Sequence, residues 1–265
     1  MAAPKPSFIL CFDFDGTLVH PESDPVFHPA LAEMIRQLRQ QGAAWVINTG
    51  RSLGQTLQGL AQYGIFMEPD YIIAQECDIY RPGVLTKWKD YGSWNKQAKR
   101  AHDRFVRDHA KSIDAIRQMV ETQSDARFIE GDAGELGIVA NTDEELDVIC
   151  AYIDTHQRQF PDIGYQRNGI YLRFSHSGYS KGTALGELTR LLSLDSSRVF
   201  AAGDNHNDLS MLDPRYARQI ACPGNALAPI KQTVTQRGGF VAGRFASEGM
   251  IEALNHFFSG GSNAR

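Results

Sequence analysis

The amino-acid sequence predicts an α/β protein, a mostly parallel sheet flanked by helices, with a smaller α+β block set into the chain. Three observations carry that expectation. Apolar runs of strand length alternate with amphipathic stretches of helix length, the pattern of parallel strands joined by helical crossovers. Polar residues collect at the C-terminal ends of those runs, where open α/β sheets form their ligand crevice. Between about Ile79 and Tyr179 the alternation stops, and other helices and short strands take over.

The first strand is the run that begins Phe8-Ile-Leu-Cys-Phe12 and opens into Asp13 and Asp15, with Gly16 and Thr17 behind them. A helix is expected over His28 to Gly42, because Leu31, Met34, Ile35 and Leu38 recur at helical spacing and Gly42 is a natural stop. A second buried strand spans Ala43–Asn48, and a helix carrying Leu53, Leu57 and Leu60 ends near Gly64. Tyr71–Ala74 is the third strand. In the inserted block the sequence predicts a long charged helix from Trp94 to Gln123 and strands around Ala126–Ile129 and Leu136–Ala140. An amphipathic helix near Glu144–Phe160 and a hairpin over Gly164–Ser175 follow. The alternation then resumes with a helix over Gly182–Leu192, a strand at Arg198–Ala202, a helix from Asp208, a strand at Gln219–Cys222, a helix after Asn225 and a last helix over Ser247–Phe258.

At 265 residues with 42% hydrophobic content, the chain can bury a sizeable core. A formal charge of −4, with basic and acidic residues interspersed, leaves no footprint for nucleic acid. The four cysteines, Cys11, Cys77, Cys150 and Cys222, lack CxxC spacing, which argues against a disulfide framework or thiolate zinc site and fits a reducing cytoplasm. No stretch has the length and apolarity of a signal core or a membrane span. Residues 1–6 and the tail from Ser259 are expected to fray.

Four strand or helix ends carry polar groups that one site can share. Asp13 and Asp15 lie two positions apart, on one side of the pleat. Two like charges there call for a cation, and oxygen ligands suit Mg²⁺; the plainer alternative is that both aspartates only turn the chain and cap the next helix. Thr49, flanked by Gly50, offers a hydroxyl and backbone N–H groups suited to a phosphate oxygen. Lys181 opens a helix, where a cation opposes the dipole unless an anion comes between them; a solvated lysine is the alternative. Gly203-Asp204-Asn205-His206-Asn207-Asp208 brings two carboxylates onto one tight loop. For Asp13 and Asp204 to share an ion, their strands must be close neighbours in the sheet. His206 fits an oxygen-rich site poorly, and His102 and His109 lack ligand spacing. Arg51, Arg173 and His176 are candidates to reach a substrate, with structural roles as the alternative.

Taken in order, Asp13-Phe-Asp-Gly-Thr17, Thr49, Lys181 and Gly203-Asp204 with Asp208 resemble the four motifs of the haloacid dehalogenase-like phosphatase superfamily. The resemblance implies a Rossmann-like core over residues 1–80 and 180–265, with residues 81–179 as an inserted α+β cap domain. Thr49-Gly-Arg-Ser52, Met67-Glu-Pro-Asp-Tyr71, Asp78-Ile-Tyr80 and Ser247-Glu-Gly-Met-Ile-Glu-Ala253 resemble its sucrose-phosphate phosphatase branch. That branch usually carries Gly-Ser-Glu-Ile-Tyr where this chain has Glu76-Cys-Asp-Ile-Tyr80, a departure at the edge that would face the substrate.

The resemblance implies a Mg²⁺-dependent phosphomonoesterase acting on a small phosphorylated metabolite, a sugar phosphate above all. Asp13 would be the nucleophile and Asp15 the acid and base. Asp13, the Asp15 carbonyl and Asp204 would ligate the metal, with Asp208 behind them or bound through water. Thr49 and Lys181 would hold phosphoryl oxygens, while Gly50, Arg51, Glu76 and Asn207 would border the substrate. A phosphosugar mutase or phosphotransferase on the same core is the alternative. A catalytically silent binding protein is a further one, although Asp13, Asp15, Lys181 and Asp204 are all present.

Overall fold

The computed structural model describes residues 5–84, 87–130, 136–157 and 163–258. It divides into two compact units, Met1–Asn95 with Lys181–Arg265, and Lys96–Ser180. Of the ends expected to fray, 1–6 and the tail from Ser259, residues 1–4 and 259–265 lie outside the described residues, as does the end of the helix expected to reach Phe160.

In chain order the elements begin with β1 (Phe8–Phe12), α1 (Pro29–Gln40), β2 (Ala43–Asn48), α2 (Leu53–Gln62) and β3 (Tyr71–Ala74). Local chemistry sets the helix starts. Pro29 occupies the first turn of α1, and the His28 ring accepts the Ala30 N–H at 3.1 Å. Ser52 and Gln55 form a reciprocal capping box at the start of α2. Beyond β3 come two strands the sequence pattern did not suggest, β4 (Asp78–Pro82) and β5 (Trp88–Asp90). Both are short and mostly polar or half-exposed, as suits antiparallel strands at a sheet edge.

The inserted block holds α3 (Trp94–Asp108), α4 (Ala110–Gln123), β6 (Arg127–Glu130), β7 (Leu136–Val139), α5 (Asp143–Gln157), β8 (Ile163–Asn168) and β9 (Tyr171–His176). Here the expected single helix over Trp94–Gln123 is corrected to two, broken at His109. Phe105 is buried in α3 and Ile113 in α4. A spacing of eight residues would set them roughly 80° apart around one continuous helix, and the break lets both enter the same core. The four strands form an antiparallel sheet in the order β6-β7-β9-β8.

The chain returns through α6 (Lys181–Leu191), β10 (Val199–Ala202), β11 (Gln219–Cys222), α7 (Ala228–Gln236), β12 (Phe240–Val241) and α8 (Ala246–Phe258). The helix expected from Asp208 is instead a single 3-10 turn, His206–Ser210. Asn205 and Asp208 cap it, and Pro214 soon follows.

The large sheet runs β12-β11-β10-β1-β2-β3-β4-β5. Strands from β12 to β3 are parallel, and β4 and β5 are antiparallel to their neighbours. Successive residues of β1 enter opposite cores, Leu10 and Phe12 on one face, Ile9 and Cys11 on the other. This explains why a central parallel strand reads as an unbroken apolar run. The mixed α/β class with a parallel-rich sheet and an inserted α+β unit is the one the sequence predicts.

Candidate active site

β1 lies between β10 and β2, with Phe12 opposite Ala202 and Ile47. That register brings the residues just past the three strands to one edge. Asp13 and Asp15 follow β1, Thr49 to Arg51 follow β2, and Asp204 to Asp208 follow β10. β3 adds Gln75 and Glu76 beyond β2, and Lys181 opens α6.

At the centre is a buried ion cluster. The Lys181 ammonium, 0% exposed, donates to Asp13 Oδ1 at 2.5 Å and to Asp208 Oδ1 at 2.7 Å. Burial works against the lysine's charge, yet the carboxylates of Asp13, Asp208 and Glu76 outweigh it and hold Lys181 well above its ordinary range. Burial also holds Asp13 well above the usual carboxylate range, with Asp208 and Asp204 adding to the push and Lys181 opposing it. Asp204 is pushed up to about 7, first by burial and next by the charge of Asp208.

The oxygens of Asp208 are engaged, Oδ1 by Lys181 and Oδ2 by the backbone N–H groups of Asp204 at 2.8 Å and Asn205 at 2.9 Å. Its carboxylate therefore shapes the loop. Asp204 Oδ1 accepts from the Thr17 hydroxyl at 2.8 Å. Gly16, at φ +79°, passes so close to the Asp204 carboxylate that a Cβ would run into it. Asp13, Asp204 and Asp208 each offer a carboxylate oxygen within 4.8 Å of the others. An all-oxygen set of converging, desolvated like charges fits a hard divalent cation, which would supply the compensation that one lysine does not.

Asp15 is held apart from this cluster. The Arg51 guanidinium grips it with Nε to Oδ2 at 2.7 Å and a second nitrogen to Oδ1 at 2.5 Å, while lying 4.9 Å from the Phe14 ring centroid. This bidentate pair is the contact that reading the motifs separately overlooks. Its signal was available: β1 and β2 pair, and Asp15 and Arg51 stand three and four residues beyond the paired Phe12 and Ile47.

Thr49 is buried, its hydroxyl accepting the Arg51 N–H at 3.2 Å and its carbonyl the Glu76 N–H at 3.0 Å. Gln75 and Glu76 adopt left-handed backbone, φ +49° and +71°, which costs roughly 1–2 kcal/mol each for residues with a Cβ. Glu76 is 6% exposed, and its Oε1 accepts from Asn207 Nδ2 at 3.0 Å. In the second unit, Arg173 lies on β9 opposite Gly137 and Gln166, and the His176 ring stacks edge-on to Phe105 and Tyr179.

The family model for haloacid dehalogenase-like hydrolase matches residues 10–76 and 88–236. The chain belongs to that family. Its relatives are named for phosphate-ester chemistry. A phosphoglycolate phosphatase of Picrophilus torridus is 27% identical over 122 residues, 46% of this chain and 47% of that one. A glucosylglycerol-phosphate synthase of Pseudomonas anguilliseptica is 38% identical over 88 residues, 33% of this chain and 11% of that one. The chain thus spans less than half the length of these two curated relatives. Among solved structures, the sucrose-phosphatase of Synechocystis sp. PCC6803, in complex with sucrose and phosphate, aligns with TM-score 0.75 and 19% identity over 95% of this chain and 98% of that chain. At that identity the likeness speaks for the fold.

Proposed function

We propose that the chain is a Mg²⁺-dependent phosphomonoesterase that hydrolyses a small sugar phosphate through an aspartyl-phosphate on Asp13. The observation that carries this reading is the buried convergence of Asp13 with Lys181, Asp204 and Asp208 at one sheet edge. Asp13 attacks the phosphorus and the ester oxygen departs, taking a proton from Asp15. Asp15 then removes a proton from the water that splits the acyl phosphate, restoring the Asp13 carboxylate. Arg51 holds Asp15 in one orientation between these steps. Lys181 and the Thr49–Gly50 segment face the charge on the phosphoryl oxygens, the kind of fixed electrostatic complement that dominates phosphoryl transfer. Asp13 and Asp204 would hold Mg²⁺, with Asp208 fixing the loop behind them; when bound, the ion neutralises charge on the transferring group.

Two facts support a sugar as the leaving group: the shared fold with a sucrose-phosphatase and a curated relative whose named product chemistry is glucosylglycerol phosphate. Discrimination among leaving groups is assigned to the inserted residues 81–179. A phosphate-release screen over hexose phosphates, sucrose 6-phosphate, phosphoglycolate and nucleotides, with and without Mg²⁺ and with no added acceptor, tests the proposal. Hexose or disaccharide phosphates should lead, and only with Mg²⁺. Turnover that requires a sugar acceptor, or none with any ester, would sink it. Replacing residues 82–177 by a short linker should leave cleavage of p-nitrophenyl phosphate while removing the preference among sugars.

A further inference from the structure

We propose that Glu76 opposes the binding of inorganic phosphate in this pocket and so sets how readily the product leaves, an inference that rests on the phosphatase reading above. The residue is placed for that task rather than for packing. Its carboxylate is buried at 6% exposure, and it reaches the site from a left-handed backbone position that glycine would occupy without strain. The Glu76 N–H donates to the Thr49 carbonyl. A Cβ built on Gly50 would stand 2.5 Å from Glu76 Oε1, so the carboxylate lies directly against the Thr49–Gly50 segment. Oε1 takes the Asn207 amide at 3.0 Å, while Oε2 is buried with no hydrogen-bond partner among the described residues.

The cations nearby are already engaged. Lys181 serves Asp13 and Asp208, and Arg51 serves Asp15. Free phosphate, an anion, therefore enters beside a carboxylate that has one oxygen unsatisfied and no ion-pair partner within contact among the described residues, Lys181 acting on it only at longer range. Two effects act in the same direction. The charge repels the anion, and the accepted Asn207 N–H is one donor fewer for it. Release is aided further because hydrolysis restores the Asp13 carboxylate beside the phosphate, one negative charge more than the covalent stage carries.

Calorimetric titration of inorganic phosphate into the Mg²⁺-loaded protein, together with phosphate inhibition of p-nitrophenyl phosphate hydrolysis, reads the effect. Glu76→Gln removes the charge but keeps an acceptor for Asn207, and Glu76→Gly removes both while suiting the backbone. Phosphate should bind about tenfold more tightly to Glu76→Gln, and at least as tightly to Glu76→Gly, from loss of one like charge in a partly desolvated site. KM should fall with the inhibition constant while kcat does not rise. Phosphate affinity within twofold of wild type in both folded variants, or weaker, overturns the role of Glu76. Failure of the wild type to release phosphate from any ester overturns the phosphatase reading instead, and the two outcomes are told apart because phosphate binding is measured without turnover.

Discussion

Replacing Lys181 by methionine tests the electrostatic centre of the fold directly. The ammonium is completely buried and stands between Asp13 and Asp208 at 2.5 and 2.7 Å, with Asp204 adjoining. Methionine preserves much of the side-chain volume, so the loss is one of charge rather than of packing. Removing one partner of a buried ion pair costs about 3–5 kcal/mol, because the other charge stays behind without compensation. For a chain of this size, at roughly 2–4 °C per kcal/mol, the melting temperature of the metal-free protein should fall by roughly 6–20 °C. Burial already holds Asp13 and Asp204 above the ordinary carboxylate range. Without the lysine they can escape the repulsion by taking up protons, so the loss should be smaller at about pH 5 than at about pH 8. Mg²⁺ should restore part of it. Thermal unfolding followed by circular dichroism, with and without Mg²⁺ at both pH values, provides the measurement. A drop of under about 2 °C in the metal-free protein at the higher pH would show that Lys181 does not compensate these carboxylates, since an exposed or dispensable lysine behaves that way.

Asp13→Asn should fold yet release phosphate at less than about a hundredth of the wild-type rate, because a lost nucleophile costs more than a lost stabilising donor, itself about 10²–10³; a faster variant in a malachite green assay would remove Asp13 from that role. Asp204 at about 7 in the metal-free protein lies above its ordinary value of 3.8, so the fold favours its protonated form. The contribution of Asp204 to stability without metal is therefore greatest below about pH 4 and declines as pH rises to about 7, and Mg²⁺ must displace that proton. Stabilisation by Mg²⁺ should be small at about pH 5 and grow through about pH 7, and equal stabilisation at both ends would contradict it. Arg51→Lys loses the bidentate grip on Asp15 and should lower kcat about tenfold on a sugar phosphate with little change in KM. The drop should be smaller on p-nitrophenyl phosphate, whose leaving group needs less protonation. An equal loss on both substrates would show that Arg51 does not act through Asp15.

The longer strands of the large sheet were legible because burial on both faces writes itself as runs such as Phe8–Phe12 and Ala43–Asn48. The adjacency of β1 and β10 followed from asking Asp13 and Asp204 to meet across a long stretch of chain. Less visible were features whose cause lies in tertiary context. The break at His109 depends on the rotation between two apolar stripes, and β4 and β5 have too few buried residues for an apolar signal. The grip of Arg51 on Asp15 requires the register of two strands, and the Glu76–Asn207 bond that of strands three places apart. Glu76 was noticed as a departure at the third strand end; the sequence did not reveal that its backbone is left-handed or that its carboxylate is buried.

The strand that carries Asp13 and Asp15 is completed by partners from opposite ends of the chain, β2 soon after it and β10 about two hundred positions later. During synthesis one edge of that apolar strand therefore stays without its partner until residues near Ala202 have emerged. At about 5–20 residues per second, the wait is on the order of 10–40 s. Throughout that interval Ile9, Cys11 and Phe12 are a template for pairing with another nascent chain. Stalled or truncated products ending before α6 should thus be captured by chaperones or aggregate, and the long separation between β1 and β10 should make folding slow relative to proteins of similar stability with local contacts.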